Sequence, residues 1–303
     1  MHMRFFRIIF LAAMLLAGVS AVADEAVLKP FMSGAAVAGD QAKAAEAAKA
    51  ALTANGFEVA GSYSPYAGTT VLAVTSPEIK ANAAKSDLGG FGAALRVSVV
   101  QAKDNVQVAY TNPEYWANAY RMADDLKPLG ARFEAALGKG EAFGAKGLTA
   151  KQLRKYHYMM GMEYFDEPSL LAEHASHAEA LAAVEANLSA GKAGVTKVYR
   201  VEVPGKEAVL FGVGMKGPKP EDKNMDDAYI MSEIDFKDVK SAAHLPYEML
   251  VDGKKVYALY ARFRIAASFP DLSMMGSNSF MNIMGAPEAI RKALVQAAGG
   301  KLD

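Results

Sequence analysis

The chain of 303 residues contains no cysteine. Disulfides, thiolate metal sites and thiol nucleophiles are therefore excluded, and burial of apolar surface must stabilise the fold. The sequence also lacks an excess of either charge, because 33 lysines and arginines balance 33 aspartates and glutamates. A neutral chain offers no electrostatic attraction for nucleic acid, so we expect no nucleic-acid partner. Apolar residues make up 52% of the chain, which is enough for two domains to bury a core each.

The longest apolar run lies at the N-terminus. Arg4 and Arg7 precede an apolar run over residues 8–19, and small residues follow it up to Ala23. This pattern is typical of a secretory signal peptide, which we predict over residues 1–23 with cleavage after Ala23. A retained anchor is the alternative, but a bilayer span needs about 20 apolar residues. We therefore expect a bacterial periplasmic or secreted protein with no stable membrane insertion after cleavage.

The order of predicted elements occurs twice along the chain. A strand, a long alanine-rich helix, four strands and a closing helix are predicted in the first half, and the same order returns in the second. The predicted boundaries are residues 24–140 for the first domain, 141–155 for a linker and 156–303 for the second domain. We therefore predict an α+β fold of two tandem domains, each with an antiparallel sheet and helices packed on one face.

Local signals support individual elements. Asp40 is a suitable N-cap for the first long helix, and Gly56 suits the left-handed position that ends it. Asp252-Gly253, between two apolar runs, is the strongest hairpin signal in the chain. The second domain is predicted to begin with a strand over residues 156–165, after which Glu167-Pro168 opens its long helix.

Several apolar segments share the pattern of a known family. Residues 71–78 form an apolar strand that ends in Ser-Pro-Glu, and the strands at residues 95–99 and 106–110 follow it. These segments resemble the bacterial family called Domain of Unknown Function 302. In the second half, residues 245–249 and 256–258 look like the same hairpin without the Ser-Pro step.

The resemblance implies two copies of a strand–helix–four-strand–helix domain. Such a domain is similar in layout to the TATA-binding-protein fold, and members of the family often self-associate. The family has no established activity, so the resemblance assigns neither a reaction nor catalytic residues to this chain.

The most distinctive polar-aromatic stretch follows Asn112 and contains Tyr115, Trp116 and Tyr120. Trp116, the single tryptophan, and Tyr120 lie one turn apart on a predicted helix, so they suit a ligand groove or a dimer seam. These three aromatic residues are our candidate ligand-binding residues. The alternative is that they pack the helix against the sheet, with no ligand.

Histidine and methionine supply the candidate metal ligands. His157 and Met159 would share one face of the predicted strand, and methionine thioethers are soft ligands that suit Cu(I). His174 and His177 lie one turn apart on the predicted helix, close enough to share a metal ion. The alternatives are core packing for the methionines and a solvated helix face for the two histidines.

A second methionine group is formed by Met274, Met275, Met281 and Met284, among 16 methionines in all. Core packing is the favoured interpretation for this group as well, since methionine fills irregular gaps in cores. We predict no cofactor, and copper and haem are the alternatives.

The leading hypothesis is an exported soluble binding or assembly module. Its ligand, if it has one, is expected to be apolar or amphipathic and to lie between a sheet and its long helix. Self-association or a periplasmic protein partner fits the same hypothesis. The alternative is a periplasmic metal- or haem-binding protein that uses His157 and neighbouring methionines, or His174 and His177. An enzyme ranks third, because the sequence shows no nucleophile elbow and no triad that spacing would support.

Overall fold

The structure is a computed structural model that describes residues 26–103 and 105–302. The predicted signal peptide, residues 1–23, lies outside the described residues. The described chain is mixed α+β with antiparallel sheets, as the sequence predicted. Across these two ranges no helix combines the length and the apolar character that a membrane crossing requires.

The first half of the chain, residues 26–143, builds a six-stranded antiparallel sheet. Its strands are β2 (Phe31–Ser33), β3 (Glu58–Tyr63), β4 (Thr69–Thr75), β5 (Leu95–Gln101), β6 (Val106–Thr111) and β7 (Ala142–Phe143). Its helices are α1 (Gln41–Ala54), α2 (Pro77–Lys85), α3 (Pro113–Ala119) and α4 (Leu129–Leu137). The strands lie in the order β3-β4-β5-β6-β2-β7.

A short connection leads to the second half. Strand β1 (Val27–Leu28) pairs with β8 (Leu148–Thr149), and a single helical turn, α5 (Ala150–Leu153), follows β8. The residues predicted as a linker, 141–155, therefore supply two short strands, and β7 extends the first sheet.

The second half, residues 169–302, builds a five-stranded antiparallel sheet. Its strands are β9 (Ser169–Glu173), β10 (Val195–Glu202), β11 (Ala208–Met215), β12 (Tyr247–Asp252) and β13 (Lys255–Ala258). Its helices are α6 (His177–Ser189), α7 (Asp227–Ile234), α8 (Ala261–Ser268) and α9 (Ala286–Ala298). The strands lie in the order β10-β11-β12-β13-β9.

The two sheets share one strand order when β7 is set aside. In each half the second to fifth strands are consecutive neighbours, and the first strand lies beside the fifth. A long helix joins the first two strands, a short helix joins the third and fourth, and two helices follow the fifth. The element order is thus the same in both halves.

Each sheet packs one face on its own helices and turns the other face toward the opposite half. Leu52 of α1 belongs to one core cluster with Val97 and Val99 of the first sheet, and Val184 of α6 belongs to another with Phe211 of the second. On the inner face, Tyr199, Leu210 and Leu250 of the second sheet belong to the core of the first half. Burying a large apolar side chain contributes about 1.5–3 kcal/mol, so this shared core holds the two halves together.

The predicted ends of α1 are confirmed. Asp40 Oδ1 accepts a hydrogen bond from the Lys43 amide at 2.9 Å. Gly56 has a φ of 79°, and the Phe57 amide donates to the Leu52 carbonyl at 3.0 Å. These bonds satisfy backbone groups that the helix itself leaves unpaired. The hairpin predicted at Asp252-Gly253 is confirmed as well, since it joins β12 to β13.

The strand predicted over residues 156–165 is wrong. This segment forms turns around Gly161, whose φ is 82°, and Tyr156 Oη donates to the Ala266 carbonyl in α8 at 3.0 Å. The rings of Tyr156 and Phe165 also contact the ring of Phe263 in the same helix. The first strand of the second half is β9, and its long helix begins at His177 and not at Glu167-Pro168.

Candidate functional site

A groove of about 560 Å³ lies on the surface of the second half. Five of its lining residues are methionines, and the others are mostly aromatic, proline or charged. We call it the methionine groove, and its lining residues are Met162, Tyr260, Arg262, Met274, Met275, Phe280, Met281, Met284, Pro287, Glu288 and Arg291. Met162 thus shares this groove with the distant methionine group of Met274, Met275, Met281 and Met284.

The segment that joins α8 to α9, residues 269–285, forms most of one wall, and we call it the methionine loop. It folds back on itself, because the Phe280 amide donates to the Ser273 carbonyl at 2.9 Å and the Met281 amide to the Met274 carbonyl at 3.2 Å. Gly276, with a φ of 101°, supplies the turn between the two arms. These bonds place Met274 and Met281 opposite each other.

Core packing, the interpretation favoured for these methionines, is wrong. The exposed fractions are 37% for Met274, 69% for Met275, 52% for Met281 and 68% for Met284. Core positions at this end of the second half are taken by other side chains, including Ile283, Ile290 and Leu294. The four methionines of the methionine loop therefore lie outside the core and present their side chains to solvent, while Ile283 of the same loop is buried.

Two methionines near residue 160 are also exposed: the exposed fraction is 42% for Met159 and 95% for Met160. Core packing is therefore wrong for these two side chains as well. Met162, which is half-buried, lines both the methionine groove and a small, mainly apolar cavity. Phe269, Leu272 and Phe280 also line that cavity. Because Phe280 lines the groove as well, the two sites adjoin.

Charged side chains of both signs border the groove. Arg262 forms an ion pair with Glu163, and its guanidinium carbon lies 5.9 Å from the ring centroid of Tyr260. Arg291 Nε lies 3.1 Å from Glu288 Oε2, and hydrogen bonding to Arg291 lowers the pKa of the Glu288 carboxyl. The border therefore carries compensated charge around an apolar wall.

The aromatic residues predicted to bind a ligand lie in the core of the first half. Tyr115, Trp116 and Tyr120 are 0–2% exposed. Trp116 Nε1 donates to the Pro30 carbonyl at 2.9 Å, and Tyr115 Oη donates to the Ala267 carbonyl at 2.7 Å. This placement matches the packing alternative, and Tyr115 also fastens α3 to α8 of the opposite half.

The histidines predicted as metal ligands each contact a backbone carbonyl. His157 Nδ1 lies 2.9 Å from the Met159 carbonyl, His174 Nε2 lies 3.0 Å from the Ala298 carbonyl, and His177 Nδ1 lies 2.9 Å from the Gly253 carbonyl. The prediction that His174 and His177 share a helix face is wrong. His174 follows β9, and α6 begins only at His177, after the N-cap Ser176.

The carboxylate and imidazole side chains of the described residues do not cluster as metal ligands would. Within residues 26–103 and 105–302, no group of three or more histidine, aspartate or glutamate side chains is placed to hold a metal ion. Methionine thioethers are a different class of donor and are not among these groups.

A buried ionic cluster, which the sequence did not predict, lies between the two halves. Arg96 Nη1 lies 2.7 Å from Glu248 Oε1, and Arg264 pairs with Glu248 Oε2; all three are 1–3% exposed. Tyr199 Oη donates to Glu248 Oε1 at 2.9 Å. His244 lies nearby, and burial together with the two arginines holds the pKa of its imidazole well below the usual range. The cluster thus carries two cations and one anion.

The available signal for this cluster was a charged residue inside an apolar strand. Arg96 interrupts the apolar run of β5, and Glu248 interrupts that of β12. Buried charges need partners, so two opposite charges in two such strands indicate a contact between those strands.

No family model, no curated protein and no solved structure matches this chain. The resemblance to Domain of Unknown Function 302 therefore stays a prediction.

Proposed function

We propose that the chain is an exported binding module whose ligand is apolar or amphipathic and lies in the methionine groove. The observation that carries the proposal is the exposure of four loop methionines along one groove. Single exposed apolar residues are normal on protein surfaces, whereas a contiguous exposed apolar patch is typical of a binding site. The site differs from the expected one, because it borders the methionine loop and does not lie between a sheet and its long helix.

The side chains that line the groove suit an adaptable apolar contact. Methionine is unbranched and polarisable, so it can repack against ligands of different shapes. Tyr260 and Phe280 add flat aromatic walls. Arg262 and Arg291 on the border, each beside a carboxylate, offer charge for the polar end of an amphipathic ligand.

The scaffold supports the same proposal. We infer that the two halves are copies of one domain, similar in layout to the TATA-binding-protein fold and to Domain of Unknown Function 302. Their common strand order supports this inference. In such an arrangement the second half covers the inner face of the first sheet, as a partner copy would in a dimer. The methionine loop then stands outside the contact between the halves and stays accessible.

Titration with a fluorescent fatty acid tests the proposal. The parent chain should bind the probe saturably. The double variant Met275→Glu/Met284→Glu should bind at least about tenfold more weakly, because it places negative charges on an apolar wall that faces an anionic probe. The matched control Met275→Leu/Met284→Leu keeps the apolar surface and should bind like the parent.

Two results would contradict the proposal. One is a parent chain that binds neither the fatty acid nor haem, a second amphipathic probe followed by its absorbance. The other is equal affinity of the glutamate and leucine variants, which would place the probe elsewhere on the chain.

A further inference from the structure

The methionine loop places three methionines along one groove. Residues 280–283 form a 3-10 turn, and the Met284 amide donates to the Met281 carbonyl at 3.3 Å. Side chains three residues apart on a 3-10 turn are eclipsed, so Met281 and Met284 extend on the same side. The backbone hydrogen bond between Met281 and Met274 places these two residues opposite each other. Met274, Met281 and Met284 all line the methionine groove.

The donor atoms have a defined chemical preference. Thioether sulfurs are neutral and soft, and they select Cu(I) over the harder divalent ions that prefer carboxylate oxygen or imidazole. Because the chain has no cysteine, its methionine thioethers are the only soft sulfur ligands that it can offer. The exposed fractions of 37–68% leave the three side chains open to an ion from solvent.

The charges around these thioethers suit a monovalent cation. Arg262 is paired with Glu163, and Arg291 is paired with Glu288, so the positive border charges are compensated. A single added positive charge therefore meets little net repulsion. A divalent ion would need anionic ligands, which three thioethers do not provide.

We infer that Met274, Met281 and Met284 form a three-coordinate Cu(I) site. Each sulfur donates one lone pair to the ion, and no electron or proton is transferred. This inference goes beyond the proposed apolar ligand, since it depends on the sulfur atoms and not on the apolar surface that surrounds them. Substituting leucine for methionine therefore separates the two, because leucine keeps the apolar surface and removes the donor.

Competition against a chromophoric Cu(I) chelator under anaerobic, reducing conditions tests the site. The parent chain should withdraw one equivalent of Cu(I) from the chelator. The variant Met281→Leu/Met284→Leu should bind Cu(I) at least about tenfold more weakly, since even residues that only support a metal ligand contribute about that much. Its thermal melt and its fatty-acid affinity should stay close to those of the parent.

Two matched controls accompany this variant. Met32→Leu removes a thioether from β2 in the first half, and His157→Gln removes an imidazole; neither should change Cu(I) affinity. X-ray absorption of the loaded parent should show copper bonded to sulfur. The inference is overturned if the parent retains no Cu(I), if Met281→Leu/Met284→Leu binds like the parent, or if the copper shell contains nitrogen or oxygen alone.

Discussion

The two halves differ most in the segment between their last two helices. In the first half, α3 and α4 are joined by nine residues, 120–128. In the second half, α8 and α9 are joined by the 17 residues of the methionine loop. Surface segments accept added length at little cost in stability, and binding residues are often placed on such segments. Two halves with a common strand order thus differ in that only one of them carries the candidate site.

The halves also differ in charge at matching positions. Arg96 is the second residue of β5 and Glu248 is the second residue of β12. Trp116 and Arg264 are each the fourth residue of the helix that follows the fifth strand. The Arg96 guanidinium carbon lies 5.5 Å from the Trp116 ring centroid, whereas Arg264 pairs with Glu248. Opposite charges at matching positions therefore join the halves.

The largest expected effect comes from Glu248→Gln, which leaves Arg96 and Arg264 buried without an anion. We expect the free energy of unfolding to fall by about 3–5 kcal/mol, because breaking a buried ion pair leaves uncompensated charge. Urea denaturation measures this loss. The control Glu202→Gln alters an exposed carboxylate beside Arg200 and should cost no more than about 1 kcal/mol. Equal losses for the two variants would show that the cluster does not join the halves.

A smaller effect is expected at a second pair of matching positions. Gly212 pairs with Glu248, and Ala73 pairs with Arg96. A Cβ added at Gly212 would lie 1.9 Å from Cε1 of Tyr199. Gly212→Ala should therefore destabilise the chain by about 1–3 kcal/mol through overpacking.

The matched change in the first half is Ala73→Gly, which should cost only about 0.5–1 kcal/mol, as glycine within a strand does. Thermal melts of the two variants compare them directly. If Gly212→Ala is the more stable of the two, Tyr199 is not held over Gly212 as described.

The glycines that end the long helices should behave alike, with one difference. Gly56 and Gly191 have φ values of 79° and 62°, so alanine should cost roughly 1–2 kcal/mol at each position. A Cβ at Gly56 would also lie 2.9 Å from Nη2 of Arg132, whereas the nearest atom at Gly191 is Cγ2 of Thr196 at 3.7 Å. Chemical denaturation should therefore show the larger loss for Gly56→Ala. A larger loss for Gly191→Ala would contradict the helix ends described here.

The last comparison concerns pH dependence. The first residue of α7 is Asp227, and burial raises the pKa of its carboxyl to about 7; the matching residue of α2, Pro77, does not titrate. The folded state therefore holds a proton that the unfolded chain releases near pH 4, so stability should fall as pH rises from about 4 to about 7. Asp235, whose pKa burial raises to about 6, acts in the same direction.

Asp227→Asn should make this fall in stability shallower. The amide oxygen of asparagine can still accept from the Met215 amide and from Tyr63 Oη, which now lie 2.9 Å and 2.8 Å from Asp227 Oδ2. Denaturation midpoints between pH 4 and pH 8 measure the slope. An unchanged slope would mean that Asp227 does not titrate in this range.

Much of the fold could be predicted because its signals are local. The N-cap Asp40, the helix-ending Gly56 and the hairpin Asp252-Gly253 each satisfy or turn the backbone within a few residues. The start of the second half could not be predicted, because residues 156–165 and β9 are both apolar, and only β9 has a neighbouring strand to pair with. Tertiary contacts decide between such segments.

The candidate site was predicted only in part. Composition pointed to methionine as the unusual donor, but burial of a methionine depends on where its segment lies, and the sequence favoured the core. The contact between Glu248 and Arg96 joins segments that lie more than 100 residues apart in the sequence. Residue spacing contains no information on such a contact.

Methionine methyl NMR during a fatty-acid titration tests the binding groove most directly. We predict saturable shifts for the methyl groups of Met162, Met274, Met275, Met281 and Met284. The methyl groups of Met231 and Met249, which are buried in the core of the second half, should stay unchanged. Saturable binding that moves Met231 and Met249 but leaves the groove methionines unchanged would contradict the assignment of the methionine groove as the binding surface.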